Sequence, residues 1–431
     1  MSDMSDEGGL LRKLNLRKNV SFAVGEFAVN TLLLFVGYRL LIKQSGIEAL
    51  GVWSTLYAWT NLIRLADAGV SGAATRFLAQ WDLEQEQSKI RIYGETALLT
   101  NVAQFGVLSL VAYFAISPFV ASMTGASHAA QGAQVLPWML LLFFLLNVAG
   151  TVLGMLQGLH LGYQRSQLSM LGTVIQLVLV LWLVPSFGLL GLAWAQISQY
   201  LVVLILGWVQ LRFKLGTGWL PSIFDMHAFK EMLGYSLKAQ LVNISNGLIE
   251  PISKMLVGNF GGMAAQGYYE LAFKTVLLPR NLIATGVSAT IPTLARLSQG
   301  DTGMLRVMYS RAFRVSASLM GLAVILIIAL APVSSQLWLG ETNKTYWLYT
   351  SLLAFGFFGN MLGMPAYIVA MATGHMYRMI VVTLTTLGLL IVVGFSIGEF
   401  VSGTGIVALN ATAIGCCGIA VWLTNRKLVT R

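Results

Sequence analysis

Apolar stretches of about 20 residues recur along the chain, and within them the hydrophobic positions run continuously instead of alternating. That pattern predicts membrane-spanning helices and excludes an outer-membrane β-barrel, whose strands alternate with a period of two. Twelve spans are expected, at about 20–42, 50–77, 93–117, 135–158, 168–186, 189–211, 232–258, 264–291, 307–331, 346–372, 376–397 and 402–424. Alternate connections hold the basic residues. One set carries Arg12 to Lys18, Lys89, Arg91, Arg165, Arg212, Lys214, Lys230, Arg296, Arg306 and Arg378, with Arg426, Lys427 and Arg431 in the tail. The opposite set has little beyond Lys43 and Lys344. Basic connections stay on the cytoplasmic side, so both termini are expected there.

The longest cytoplasmic connection, 212–231, contains Gly216, Gly218 and Pro221, breakers that mark a linker between halves. The expected organisation is a cytoplasmic segment (1–19), an N-lobe of spans one to six (20–211), the linker (212–231), a C-lobe of spans seven to twelve (232–424) and a cytoplasmic tail (425–431). Six spans per half give both halves the same orientation, so they form a parallel repeat about an axis along the membrane normal. Matching passages support the duplication. Gly51-Val52-Trp53 leads through Arg64 to Gly69-Val70-Ser71 and Arg76; Gly267-Tyr268-Tyr269 leads through Arg280 to Gly286-Val287-Ser288 and Arg296. The arginine falls 13 residues after the opening glycine in both copies. Likewise, Gly191 and Gly405 each precede a basic residue, Arg212 and Arg426, by 21 positions, and Gly162 with Arg165 matches Gly374 with Arg378.

Composition agrees with a polytopic all-α membrane protein. Hydrophobic residues make up 56% of the chain and charged residues 10%, with a mean hydropathy of +0.74; soluble domains carry about 25% charged residues. The net charge of +10 sits in short connections flanking spans, which argues against nucleic acid as a partner. No cleavable signal peptide is expected, since the basic cluster before the first span leads into it without a small-residue cleavage site. The only cysteines, Cys416 and Cys417, are adjacent, cannot form an ordinary disulfide and make no metal site. His128, His160, His227 and His375 are scattered, and no P-loop occurs, so no catalytic residue, metal or cofactor is expected.

What remains is a set of ionisable residues inside spans one, two, seven and eight: Arg39, Arg64, Lys238, Lys254, Lys274 and Arg280, with the acids Glu26, Asp67, Glu250 and Glu270. The other spans read as nearly free of such groups. An intramembrane charge costs several kcal/mol unless it meets a partner or a wet cavity, which makes each one a functional candidate. At 100° per residue, Trp53, Tyr57, Thr60, Arg64, Asp67, Ser71 and Thr75 share a sector of about 80° on a continuous span two. Asn243, Asn246, Glu250 and Lys254 form a similar stripe on span seven. Arg64 and Arg280 are placed roughly 20 Å from the outer end, near the bilayer centre. With six cations against four acids, the set predicts a positively charged interior and an anionic cargo.

Plainer readings stand beside this one. Glu250 with Lys254 and Glu270 with Lys274 are spaced to neutralise one another, as are Arg64 with Asp67. Lys238 can snorkel to the headgroups, and Trp53, Tyr57 and Trp59 can be interfacial or packing aromatics instead of sugar platforms. Pro251 and Pro279 lie beside Lys254 and Arg280, where a missing backbone hydrogen bond makes either a hinge or a static kink.

The run Ser45-Gly46-Ile47-Glu48-Ala49-Leu50-Gly51-Val52-Trp53-Ser54, then Leu65-Ala66-Asp67-Ala68-Gly69-Val70-Ser71 and Arg76-Phe77-Leu78-Ala79, resembles the polysaccharide transporters of the multidrug/oligosaccharidyl-lipid/polysaccharide exporter superfamily, which include the O-antigen flippases. Leu156-Gln157-Gly158-Leu159, Tyr163-Gln164-Arg165 and Phe187-Gly188-Leu189-Leu190-Gly191 are similar to its fourth-to-sixth span pattern. The resemblance implies flipping of a polyprenyl-diphosphate-linked oligosaccharide across a bacterial inner membrane, for lipopolysaccharide, capsule or exopolysaccharide synthesis. Arg64 and Arg280 would hold the diphosphate mid-membrane, and Arg39, Lys254 and Lys274 would receive it nearer the outer side. Tyr57, Thr60, Asn243 and Asn246 would line the cavity, while Glu26, Asp67, Glu250 or Glu270 would couple transport to protons or sodium. Membrane lipids and a polysaccharide polymerase with other assembly proteins are the partners this implies. The alternatives are an ion-coupled small-molecule antiporter of the same superfamily, disfavoured by the basic cavity, and a membrane-embedded polymerase or ligase, for which the outer connections offer only His128 and Lys344.

Overall fold

The computed structural model describes residues 16–83, 85–288, 302–373 and 376–426. Among them all regular structure is helical: α1 Leu16–Ile63, a 3-10 turn at Arg64–Ala66, α2 Val70–Leu78, α3 Gln87–Ile116, α4 Val120–Thr124, α5 Ala129–Gly158, α6 Gly162–Leu215, α7 Met226–Gly247, α8 Ile249–Ser288, α9 Thr302–Leu339, α10 Lys344–Thr373, α11 Tyr377–Ile397 and α12 Gly403–Asn425.

At 1.5 Å per residue, α1 (48 residues), α6 (54) and α8 (40) run to about 60–80 Å, twice the hydrocarbon thickness. Each is two helices joined at one glycine: Gly46 (φ 82), Gly188 (φ 55) and Gly262 (φ 78). Positive φ is open to glycine because it lacks a Cβ, so one residue suffices to turn the chain. Counting α1 and α6 twice, and α7 with α8 as two spans, gives the twelve spans. Among the described residues, eight helical stretches are apolar and long enough by composition alone to cross a membrane. The α7–α8 region is not among them, because it carries the charged residues.

The duplication is visible in backbone geometry. Gly46 (φ 82, ψ 171) and Gly262 (φ 78, ψ 174) share an unusual conformation at the same 216-position offset that separates Gly51 from Gly267 and Arg64 from Arg280.

Packing divides the chain into two compact units. One comprises Met1–Ser45, Thr60–Ala121 and Ala129–Leu241; the other comprises Gly46–Trp59, Ser122–His128 and Val242–Arg431. The halves of the repeat and the packing units are thus different divisions of the chain. In particular, 46–59 packs with the second unit, and 226–241 packs with the first.

The first unit has a core of Leu78, Ile90, Leu98, Val152, Met155, Leu156, Leu168 and Leu211. Its linker is firmly anchored. Helix α6 continues to Leu215 and is closed by Gly216 in the left-handed region, leaving only 216–225 between helices. Buried Glu95 accepts hydrogen bonds from the backbone N–H of Ser222 (2.7 Å) and Ile223 (2.8 Å), and pairs with Arg91 at 2.8 Å. Arg212 stacks on Trp219 at 3.7 Å, and the Trp208 indole donates to the Trp219 carbonyl. In the second unit α10 packs on α12 through small residues: a Cβ on Gly356, Gly359 or Gly363 would meet the backbone of Ala411, Gly415 or Gly418 within 3 Å. Small residues let helices approach closely where no hydrophobic effect drives them together.

Candidate functional site

Span two is not the continuous helix that the sector argument requires. Helix α1 stops at Ile63, Arg64–Ala66 form a 3-10 turn, Asp67 is extended (φ −64, ψ 125), and Gly69 (φ 69) precedes α2. The cause is local: Asp67 Oδ1 accepts the Gly69 N–H at 2.8 Å, an Asx turn that competes with the helix. The released carbonyls find side-chain donors, Ala66 from Gln104 Nε2 (2.7 Å) and Ala68 from the Ser236 hydroxyl (2.5 Å). Broken backbone at membrane depth persists only with such partners or beside water. The predicted stripe therefore splits. Trp53 and Thr60 are buried and Tyr57 is half-buried, while Arg64 is exposed at the break. Ser71 and Thr75 on α2 face Gly154 of α5, where an added Cβ would lie 2.7 Å from Thr75 Oγ1. Arg64 and Asp67 make no ion pair, and Asp67 serves the turn.

Four of the predicted residues come together in the second unit. Lys254 Nζ lies 2.7 Å from Glu250 and 2.8 Å from Glu270; Lys274 lies 3.6 Å and 3.7 Å from the same two carboxylates. The local i,i+4 pairs thus exist, but as parts of one four-membered network. Lys254 is 1% exposed and Glu270 2%, while the Glu250 side chain remains 38% open. The Ser54 hydroxyl donates to Glu270 Oε2 at 2.6 Å and accepts from Gln266 Nε2 at 3.0 Å, which ties span two into the network. Lys254 is held by carboxylates and closed to solvent, so its ammonium is not presented to a ligand in this arrangement.

One turn away, α1 crosses α8 at the two glycines that opened the matching passages. A Cβ on Gly51 would lie 2.0 Å from the Met263 carbonyl oxygen, and one on Gly267 would lie 2.3 Å from the Ile47 carbonyl oxygen. The contact is self-complementary: each glycine meets the backbone four residues before its counterpart.

Arg280 stands apart from the network. Pro279 precedes it in α8, and its guanidinium donates to amide oxygens, Nη1 to Asn281 and Nη2 to Asn360, both at 3.1 Å. Its Nε is buried without an acceptor, and no carboxylate of the described residues lies within ion-pair range. In the first unit Arg39 is exposed and Glu26 lies 3.8 Å from Arg165. The side chains of Lys238, Asn243 and Asn246 lie outside the described residues.

Pro251 falls in the first turn of α8, just after the helix is interrupted at Leu248, where a missing N–H costs nothing. The helix is thus broken beside Pro251, where a hinge or a static kink was expected. Charged groups also occur where none were expected. Glu95 lies in span three, and Arg311 and Arg314 are exposed on span nine. Their i,i+3 spacing ahead of a strongly apolar run was the available signal.

The family model for polysaccharide biosynthesis proteins matches residues 48–347. No curated protein matches by sequence alone. Among solved structures, an inward-facing multidrug resistance MATE family transporter of the MOP superfamily superposes with a TM-score of 0.80 at 15% identity, over 95% of this chain and 98% of that one. The lipid II flippase MurJ in an inward closed conformation gives 0.74 at 13% identity, over 95% and 87%. A MOP superfamily transporter from Pyrococcus furiosus, described as having a binding pocket of reversed polarity, gives 0.66 at 14%, over 96% and 95%. At these identities the neighbours establish a shared fold. With the model matching most of its length, the chain belongs to the polysaccharide biosynthesis protein family of multi-pass membrane proteins.

Proposed function

We propose that the protein flips a polyprenyl-diphosphate-linked oligosaccharide across a bacterial inner membrane, with both termini cytoplasmic, by alternating access through a cationic central cavity. The observation that carries this reading is Arg280: a half-buried guanidinium in a membrane helix that donates to amide oxygens and has no carboxylate partner among the described residues. Such a cation is stabilised by an incoming anion, and guanidinium binds phosphate through two parallel hydrogen bonds. The family assignment and a lipid flippase among the structural neighbours agree with a lipid-linked glycan as cargo.

In this mechanism Arg280 and Arg64, equivalent in the repeat, hold the diphosphate, and Arg39 assists. Lys254 and Lys274 belong to a latch with Glu250 and Glu270. Segment 46–59 must leave its place on α8 when the outer side opens. Protonation of Glu250, the more open acid, would remove one of the two anchors of Lys254 and loosen the Ser54–Glu270 tie.

The test is flipping of a fluorescent short-chain prenyl-diphosphate sugar in proteoliposomes. Arg280→Ala and Arg64→Ala should each lower the rate at least tenfold with normal insertion and melting. Full activity in both variants overturns the site.

A further inference from the structure

Helix α9 carries two arginines that the proposed cation site does not use. Arg311 and Arg314 are exposed, one turn apart, and without a carboxylate partner among the described residues. With Val315, Ser318 and Leu319 they line a groove of about 610 Å³. At 100° per residue, positions 311, 314, 315, 318, 322 and 325 fall within about 100° of one face. Beyond the groove that face is apolar and open, with Leu322 55% and Ile325 66% exposed. From Arg314 the helix runs on to Leu339, about 38 Å and more than the hydrocarbon thickness of about 30 Å, so the arginines stand at one boundary of the membrane. The alternation of basic connections assigns that boundary to the cytoplasmic leaflet.

Two exposed guanidiniums followed by an open apolar stripe match a molecule with an anionic head and a hydrocarbon chain. We propose that this groove docks the diphosphate head of the prenyl-linked glycan in the inner leaflet, before it reaches Arg64 and Arg280. The inference rests on the transport reading, since it takes its ligand from there. Two features favour this lipid over an ordinary phospholipid. Each arginine can engage one phosphate through paired hydrogen bonds, so two arginines suit a diphosphate better than a single phosphodiester. The groove is also open to one side, which leaves a sugar beside the phosphates unobstructed.

The experiment measures binding of a fluorescent short-chain prenyl diphosphate to the full chain in phosphatidylcholine nanodiscs. Arg311→Ala with Arg314→Ala should weaken binding at least tenfold, while Arg311→Lys with Arg314→Lys, which keeps the charge, should lose less than half of that. Phosphatidylglycerol at equal mole fraction should displace little of the probe. Unchanged binding in the alanine pair overturns the proposal, and so does equal displacement by phosphatidylglycerol, which would make the groove a general anionic-lipid site. Flipping of the same probe by the wild type separates the two readings. A probe bound through these arginines but never flipped retires the transport reading and leaves the docking site standing. A probe flipped normally, with binding indifferent to both arginines, retires the docking site alone.

Discussion

The Gly51–Gly267 crossing offers a perturbation whose size can be worked out. A methyl group at position 51 would sit 2.0 Å from the Met263 carbonyl oxygen, a backbone atom that no rotamer change can move. Relief to an ordinary contact near 3.4 Å requires the two helices to part by about 1.4 Å, and overpacking of this kind costs about 1–3 kcal/mol. At about 1.4 kcal/mol per factor of ten, a cost of 2 kcal/mol depopulates the closed crossing roughly 30-fold relative to a state in which the helices are apart. Gly267→Ala should act in the same direction, since its Cβ meets Ile47 at 2.3 Å. The double variant should cost less than the sum, because one separation relieves both clashes. The readout is cross-linking of Ser54→Cys to Gln266→Cys by a short bifunctional thiol reagent, after replacing Cys416 and Cys417 with serine. These two side chains are hydrogen-bonded at 3.0 Å, so the parent should link fast and Gly51→Ala slowly. Native cross-linking rate and native melting in Gly51→Ala would show that the crossing is neither tight nor part of a gate.

The remaining predictions concern buried charge. Lys254→Met should cost about 3–5 kcal/mol, because it leaves Glu270 enclosed without its nearest cation; adding Glu270→Gln should recover much of the loss, as a double-mutant cycle on thermal melting in detergent would reveal. Glu95→Gln should free the linker by weakening two backbone hydrogen bonds and the Arg91 pair, so limited proteolysis within 216–225 should accelerate while the transmembrane core stays intact.

Span number and duplication were legible because each depends on a repeated, one-dimensional signal: apolar length, and the spacing of Gly and Arg. Clustering of Glu250, Lys254, Glu270 and Lys274 was legible too, since i,i+4 spacing brings each local pair together on a helix. That the two pairs merge depends on how α8 doubles back at Gly262, which spacing cannot disclose. The break at 64–69 had a local signature in Asp67-Ala68-Gly69, a turn-forming run, but averaging over a helical sector hid it. In the other copy, Ala284-Thr285-Gly286 lacks the aspartate, and α8 continues to Ser288 without a break. Arg311 and Arg314 sit in about the first two turns of span nine, where a basic residue can equally belong to the flanking connection, so composition alone does not mark them.

The network at Lys254 changes what the count of charges means. Six cations against four acids suggested a diffuse positive interior, yet two lysines and two carboxylates cancel in one cluster. Of the other two acids, Asp67 closes a turn and Glu26 lies near Arg165. The described surplus is therefore arginine alone: Arg39, Arg64 and Arg280. Arginine keeps its charge at any physiological pH, whereas carboxylates gain and lose protons as their surroundings change. In the proposed mechanism this separates two tasks. A proton taken up by the acids can loosen the lysine latch without weakening the hold of the arginines on phosphate. Sodium could displace the lysines electrostatically to the same end, so the coupling ion should be decided at Glu250 and Glu270. Substituting either acid should then alter the pH or sodium dependence of flipping, whereas substituting Arg280 should lower its rate at every pH.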